Sequence, residues 1–420
     1  MTLDRAAAAL RAHDIHQGLH DVDRNSALLA TELEATQLVG MAAAVAAWIK
    51  GHDVIDNAQA LRVVAADQLD VSAFAFDDVV ELLEELDFVR NVQRGGRKIV
   101  SFYETVPEDY VRMYGQLGEA WELQQPTEIE SGLVGVVDRL SNGPCAADEL
   151  SIDPVAGESV LRIGQEAEAI QAVNVSGRTI LYSPFFAYEK PEAIGDILKT
   201  LDVERVGAAF AGVRGFQGTP LSISPNGEIL TGLVAGGLMA GPSLERPDGS
   251  RELFAVAPYG LGPDVLTYKR PVLEKALAVL AAVRMGQHFG GITNLQSPAA
   301  FLHALLQPGR TVAWHSSTTR QYAVLQRLGV VRFVAAGGRS GIQLIDIEDN
   351  VAAMKLAIDL LGAGEAAATK GTSSLLEQAL MTPGHYRPQI QGIRPAKRHA
   401  PIPADEMAAI VDAAMGRRAV

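Results

Sequence analysis

The chain holds 420 residues, 48% of them apolar, and carries a formal net charge of −14. That composition supplies a sizeable core and, by length, about two to four domains; a sequence pI near 5.1 argues against indiscriminate coating of nucleic acid, though not against local contact. A single cysteine, Cys145, excludes a disulfide framework and a cysteine-rich metal site.

The amino terminus, MTLDRAAAALRAHD, lacks an apolar stretch of signal-peptide length, and the most apolar run, Leu38 to Ile49, is too short to cross a bilayer. A soluble, cytoplasmic protein without membrane contact is expected. Residues 1–25 read as an N-terminal helical segment in which His13, His16 and His20 recur at spacings of three and four. Those histidines could share one helical face and hold a metal. Gly18, the terminal position and the lack of a completing cysteine or carboxylate pair favour a solvated helix instead.

Residues 26–106 form the first unit. Helices are expected over 32–50, 58–68 and 77–87, the last with Val79, Leu82, Leu83 and Leu86 on its apolar face. A strand at 88–92, a turn containing Arg94, Gly95, Gly96, Arg97 and Lys98, and a strand at 99–104 follow. The hairpin is basic, but the helix before it carries Asp77, Asp78, Glu81, Glu84, Glu85 and Asp87, which would repel phosphates. That helix is expected to face protein or water.

Residues 107–187 repeat the layout more faintly, with helices near 132–140 and 148–160, strands at 170–175 and 178–182, and a Ser176-Gly177 turn. Between Glu104 and Ile170 there are 14 acidic and 3 basic residues, so this unit is a poor DNA binder. Its surface is a solubilising one, a docking face for a protein partner, or a nucleic-acid mimic. Residues 188–295 are Gly-rich. Helices are expected at 192–201 and 228–239, a hairpin at 243–245 and 252–257, and a long amphipathic linker helix at 271–287 whose buried stripe is Leu273, Ala276, Leu277, Leu280 and Val283.

Residues 296–365 begin with Ser297 as N-cap and Pro298 at the first helical position. A continuous helix is expected from Ser316 to Leu328, apolar at Tyr322, Leu325 and Leu328, with Ser316, Arg320, Ala323 and Arg327 on the opposite face. Strands at 330–334 and 342–347 flank an Ala335-Ala336-Gly337-Gly338 turn. From Arg310 to Ile342 there are five arginines, including Arg332 and Arg339, and no acidic residue. Such an island suits a helix in a DNA groove with Arg339 beside a phosphate. A closing helix over 350–361 is expected to end at Gly362-Ala363-Gly364. Residues 366–420 add a short helix at 373–381 and a basic, proline-rich arm whose Arg394, Lys397 and Arg398 could track phosphates or wrap a partner.

The motifs of phosphate loops, dinucleotide-binding turns, zinc proteases and nucleophile elbows are absent. The remaining constellation is Arg284, Gln287 and His288 near the Arg214-Gly-Phe-Gln-Gly passage, with His288 as a general base and Arg284 as an anion clamp. Beside Gly290-Gly291, a histidine at a helix end is more often a capping or surface residue.

The helix, strand, Gly-Gly turn and strand segments at 77–104 and 316–347 resemble winged helix-turn-helix domains, and those at 162–182 and 228–257 do so more faintly. The resemblance implies an α+β chain of three or four tandem winged-helix units joined by helical linkers, and a habit of binding DNA or docking proteins; it implies no reaction. The expected function is non-enzymatic DNA binding, as a regulator or as the DNA-contacting adaptor of a larger assembly. The DNA-contacting residues would be Ser316, Arg320, Arg327, Arg332, Arg339, Arg94, Arg97, Lys98 and the arm's Arg394, Lys397 and Arg398. The alternatives are a protein-interaction scaffold and an enzyme centred on His288. No cofactor or metal is expected, the protein partner would meet the acidic second unit, and a homo-oligomer is compatible.

Overall fold

The computed structural model describes residues 3–19, 32–96, 98–141, 145–150, 154–166, 169–175, 178–183, 208–209, 211–213, 215–235, 239–245, 250–257, 269–289, 295–315, 318–367, 410 and 414. Helix 192–201, helix 373–381 and the basic arm lie outside them. The chain is mixed helix and small antiparallel sheets, compatible with α+β. No helix among the described residues is long and apolar enough to cross a membrane.

Helix α1 (Arg5–Gly18) opens the chain, and it is buried rather than solvated. Asp4 caps it by accepting from the Ala7 amide at 3.2 Å, and eleven of its fourteen residues are buried. It packs on α2 (Glu34–Ile49), on α5 (Tyr110–Leu123) and on α6 (Glu128–Ser141). Small residues allow this. A Cβ on Gly118 of α5 would lie 1.9 Å from the Arg5 carbonyl oxygen, and one on Gly40 of α2 would lie 2.6 Å from that of Ala12. The periodicity of an Ala-rich segment does not separate a buried side from a wet one, so only the neighbouring helices reveal its position.

The α1 histidines are structural. His13 Nδ1 meets the Tyr114 hydroxyl at 2.9 Å, and His16 Nε2 donates to the Leu69 carbonyl at 2.8 Å. His20 lies outside the described residues, among which no group of three or more metal-ligating side chains is found.

Among the described residues four three-stranded sheets follow, each with the same pairing: a two- to five-residue first strand joins the second strand of a later hairpin, which becomes the middle strand. In the first, β1 (Val54–Ile55) pairs with β3 (Lys98–Glu104), which pairs with β2 (Val89–Gly95); α3 (Ala58–Gln68) and α4 (Phe76–Glu85) intervene. The second joins β4 (Cys145–Ala146) to β6 (Arg178–Tyr182) and β5 (Gln171–Val175), after α7 (Pro154–Glu166). The third joins β7 (Thr219–Pro220) to β9 (Arg251–Ala255), which pairs with β8 (Ser243–Glu245), around α8 (Gly227–Ala235).

Helix α9 (Arg270–Phe289) is longer than the 271–287 segment expected and is not an amphipathic linker. Sixteen of its twenty residues are buried, including Arg270, Lys275 and Arg284. The fourth sheet comes after α10 (Pro298–Leu305): β10 (Thr311–His315) pairs with β12 (Arg339–Leu344), which pairs with β11 (Val331–Ala336). Two short helices, α11 (Thr318–Gln321) and α12 (Ala323–Arg327), precede the hairpin. Helix α13 (Glu348–Ala367), which packs on α9, then runs through Gly362 and Gly364 instead of stopping there.

Buried polar groups tie the first sheet's helices to the last. Lys50 pairs with Asp349 at 3.1 Å beneath the Tyr110 ring, and the Tyr110 hydroxyl donates to Asp349 at 2.6 Å. Lys275 donates to Asn350 Oδ1 at 3.0 Å, while Asn350 Nδ2 bonds the carbonyls of Gly329 and Ile345 at 2.8 and 3.0 Å. Arg270 donates to both Asp14 oxygens at 2.7 and 2.8 Å, fixing α1 to α9.

Candidate nucleic-acid interface

The segment expected to be a continuous DNA-facing helix, 316–328, is broken. Tyr322 leaves helical geometry at φ −114°, ψ 17° between α11 and α12. Its ring stacks on Phe301 with centroids 5.5 Å apart, is 1% exposed, and burial pushes its hydroxyl pKa up. Thr318 Oγ1 donates to the His315 carbonyl at 2.9 Å, so the segment's start is bound to β10. Its end is covered from the first unit, where Trp48 Nε1 donates to the Arg327 carbonyl at 3.2 Å.

Among the described side chains of 318–328 none is exposed, and Arg327 itself is half-buried. Arg320 sits in α11, and Ser316 lies outside the described residues. A helix must protrude to enter a major groove, so this one is poorly disposed to do so. The sequence pattern missed this because the short helices pack against α9, an element about thirty residues upstream.

The hairpin beyond it does protrude. Ala336 pairs with Arg339 around Gly337 and Gly338, both at positive φ (59° and 74°), the backbone of a two-residue turn matched to strand twist. The turn is therefore Gly337-Gly338 alone, two residues shorter than expected. Arg339 at its tip is exposed and makes no hydrogen bond or ion pair among the described residues. Arg332, exposed on β11, donates from Nε to Gln343 at 2.6 Å across the strands.

The first unit's hairpin is similar at its tip and different at its base. Gly95 pairs with Lys98, Gly96 sits at φ +68°, and Lys98 is exposed without a partner among the described residues. Arg94, however, donates to Glu84 of α4 at 2.7 Å, which raises its pKa, and Arg90 lies 3.5 Å from Asp87. The acidic helix thus neutralises the base of its own hairpin. Arg97, Arg394, Lys397 and Arg398 lie outside the described residues.

The second constellation is assembled as expected in space. Arg284 lies over the Phe216 ring at 3.6 Å, donates from Nε to the Gln217 carbonyl at 2.8 Å and from Nη1 to Gln287 at 2.7 Å. The residue is 5% exposed and its guanidinium is engaged by protein, so it holds the chain rather than waiting for an anion. His288 packs edge-on against Phe216 with centroids 5.6 Å apart, and burial, then the nearby Arg284 charge, lower its pKa. Its Nε2 is buried with no hydrogen-bond partner among the described residues.

A cavity of about 790 Å³ beside the third sheet had no sequence signal. Ser222, Ser224, Asn226, Thr231 and Arg251 line it, and Glu252, 2% exposed, accepts from the Ser222 amide and hydroxyl at 2.9 and 2.6 Å. Residues distributed over a turn, a helix and a strand make no local motif. Comparison with protein-family models, with characterised proteins and with solved structures found no match.

Proposed function

We propose that the chain is a non-enzymatic DNA-binding protein of four tandem winged-helix units, a regulator or the DNA-contacting adaptor of a larger assembly, which grips phosphates with its wings. The repeated pairing of a short strand with a later hairpin supports the winged-helix reading. One observation carries the contact: the tips at Gly96 and at Gly337-Gly338 present Lys98 and Arg339 to solvent, whereas the adjoining helices are acidic or covered. Cations on two exposed turns suit sequence-independent phosphate contact rather than base reading. Arg332 adds a cation on the same face of β11, and the arm's basic residues extend the proposal.

The test is fluorescence anisotropy of the protein with random duplex and single-stranded DNA across salt concentrations. The expected log–log slope reflects about two to four phosphate contacts, and Lys98→Ala with Arg339→Ala flattens it by about two. Absence of binding at low salt overturns the reading.

A second reading, a protein scaffold, is favoured by the exposed carboxylates. In the second unit Glu128, Asp148, Glu149 and Glu158 face solvent, with Asp148 and Glu149 sharing Arg178 at 3.1 and 3.5 Å. A partner on that surface and DNA on the wings are compatible in one adaptor.

A further inference from the structure

The turn between α3 and α4 holds Phe74 at 95% exposure, the most exposed large apolar side chain among the described residues. A lone exposed apolar residue ordinarily means nothing. This one stands on a braced turn. Arg62 Nη1 donates to the Ala73 carbonyl at 2.6 Å, the Ala75 amide donates to Ser72 Oγ at 3.1 Å, and the Phe76 amide donates to the Ser72 carbonyl at 3.1 Å. Phe76 is fully buried beneath the Arg62 guanidinium at 4.9 Å, and Arg62 also pairs with Asp77. The ring is thus held outward before any partner arrives, which removes much of the ordering cost of binding.

The charge beside it selects the partner. No Lys or Arg occurs between positions 63 and 89; of the nearby cations, Arg62 is engaged inward, and Arg90 and Arg94 of the hairpin are already held by Asp87 and Glu84, so the six carboxylates from Asp77 to Asp87 face three cations. Asp78, Glu81 and Glu85 follow at spacings of three and four, so they share one face of α4; all three are exposed and make no ion pair among the described residues. A nucleic acid would be repelled there.

We propose that Phe74 and this α4 face form a docking surface for a cationic amphipathic helix of a partner protein, whose apolar face receives the phenyl ring and whose row of Lys or Arg meets the carboxylates. The inference does not depend on DNA contact by the wings. An aromatic anchor in a socket carries most of the affinity, and the flanking charges set specificity and rate.

The test uses the full chain and a fluorescent helical peptide with one leucine face and one lysine face; a control peptide has glutamate for lysine. The lysine peptide binds and the glutamate peptide does not. Phe74→Ala weakens binding by about tenfold or more with its salt dependence retained. Asp78→Asn with Glu81→Gln and Glu85→Gln flattens the salt dependence. Because these side chains are exposed, the variants keep the wild-type melting temperature. A photo-crosslinking group at position 74 captures the lysine peptide, which separates this surface from the acidic second unit. Unchanged binding by Phe74→Ala, crosslinks only elsewhere, or a dimer of the protein alone that Phe74→Ala dissolves would overturn the proposal.

Discussion

Lys50 and Asp349, 299 positions apart, form a buried ion pair at 3.1 Å, with side chains only 10% exposed. Their contact joins the end of α2 to the start of α13, so the first and fourth units share one interior. Breaking one side of such a pair leaves an uncompensated charge. Lys50→Met is expected to cost about 3–5 kcal/mol in urea unfolding. A double-mutant cycle with Asp349→Asn should give a coupling of about 1–3 kcal/mol. A loss below about 1 kcal/mol would mean that the pair is hydrated.

Two groups near this junction titrate close to neutrality. Burial, against the attraction of Asp349, lowers the Lys275 pKa from 10.5 to about 8. The folded pKa lies below the unfolded one, so the penalty is full below pH 8 and fades as the pH rises toward 10.5. Stability should climb across that window by about 3 kcal/mol, and the climb should be absent in Lys275→Met, measured by urea midpoints at pH 7.5 and 10.5.

Glu104 behaves in the opposite sense. Burial raises its pKa from 4.5 to about 7, although the amides of Val106 and Gly51 oppose this. Here the folded state holds the proton more tightly, so stability is greatest below pH 4.5, falls as the pH rises from 4.5 to about 7, and is level above that. The decline, on the order of 2 kcal/mol, should be absent in Glu104→Gln, measured by urea midpoints at pH 4.5, 6 and 7.5.

Two glycines of α5 should respond in opposite directions. Gly118→Ala pushes a methyl group into the Arg5 backbone, 1.9 Å away, and should destabilise by about 3 kcal/mol. Gly115 has no neighbour within 4 Å of an added Cβ, so Gly115→Ala should stabilise by about 0.5–1 kcal/mol. Thermal melts of the two variants check both, and equal effects would refute the close packing of α1 on α5.

Helix α6 begins with a reciprocal cap. Glu130 accepts from the Thr127 amide at 2.8 Å, Thr127 Oγ1 accepts from the Glu130 amide at 3.1 Å, and Glu130 also accepts from the Thr36 amide of α2 at 2.8 Å. Glu130→Ala strands two amide donors and should cost about 2–3 kcal/mol; Thr127→Ala should cost about 1. Similar small losses for both would mean that the bond to Thr36 contributes little.

The local elements could be read from short-range residue patterns. The hairpins at 171–182 and 331–344 were legible to within a few residues, because glycine turns and strand-forming residues act over short distances. Pro298 marked the start of α10 for the same reason. The constellation of Arg284, Gln287, His288 and Phe216 was also anticipated, since three of its members lie on one helix turn.

Only the tertiary structure decided which faces meet water. Helix α1, read as solvated, is enclosed by α2, α5 and α6; α9, read as an amphipathic linker, is buried nearly all round; and the 318–328 segment is broken at Tyr322, with none of its described side chains exposed. The same arginine pattern fits a DNA-facing helix or one packed beneath a neighbour. What selects between them is the neighbour itself, supplied here by residues such as Trp48 and Gly286, far away in sequence from the faces they cover. Helical periodicity records amphipathicity, whereas burial of a polar face depends on distant partners for its polar groups, and no local signal encodes those.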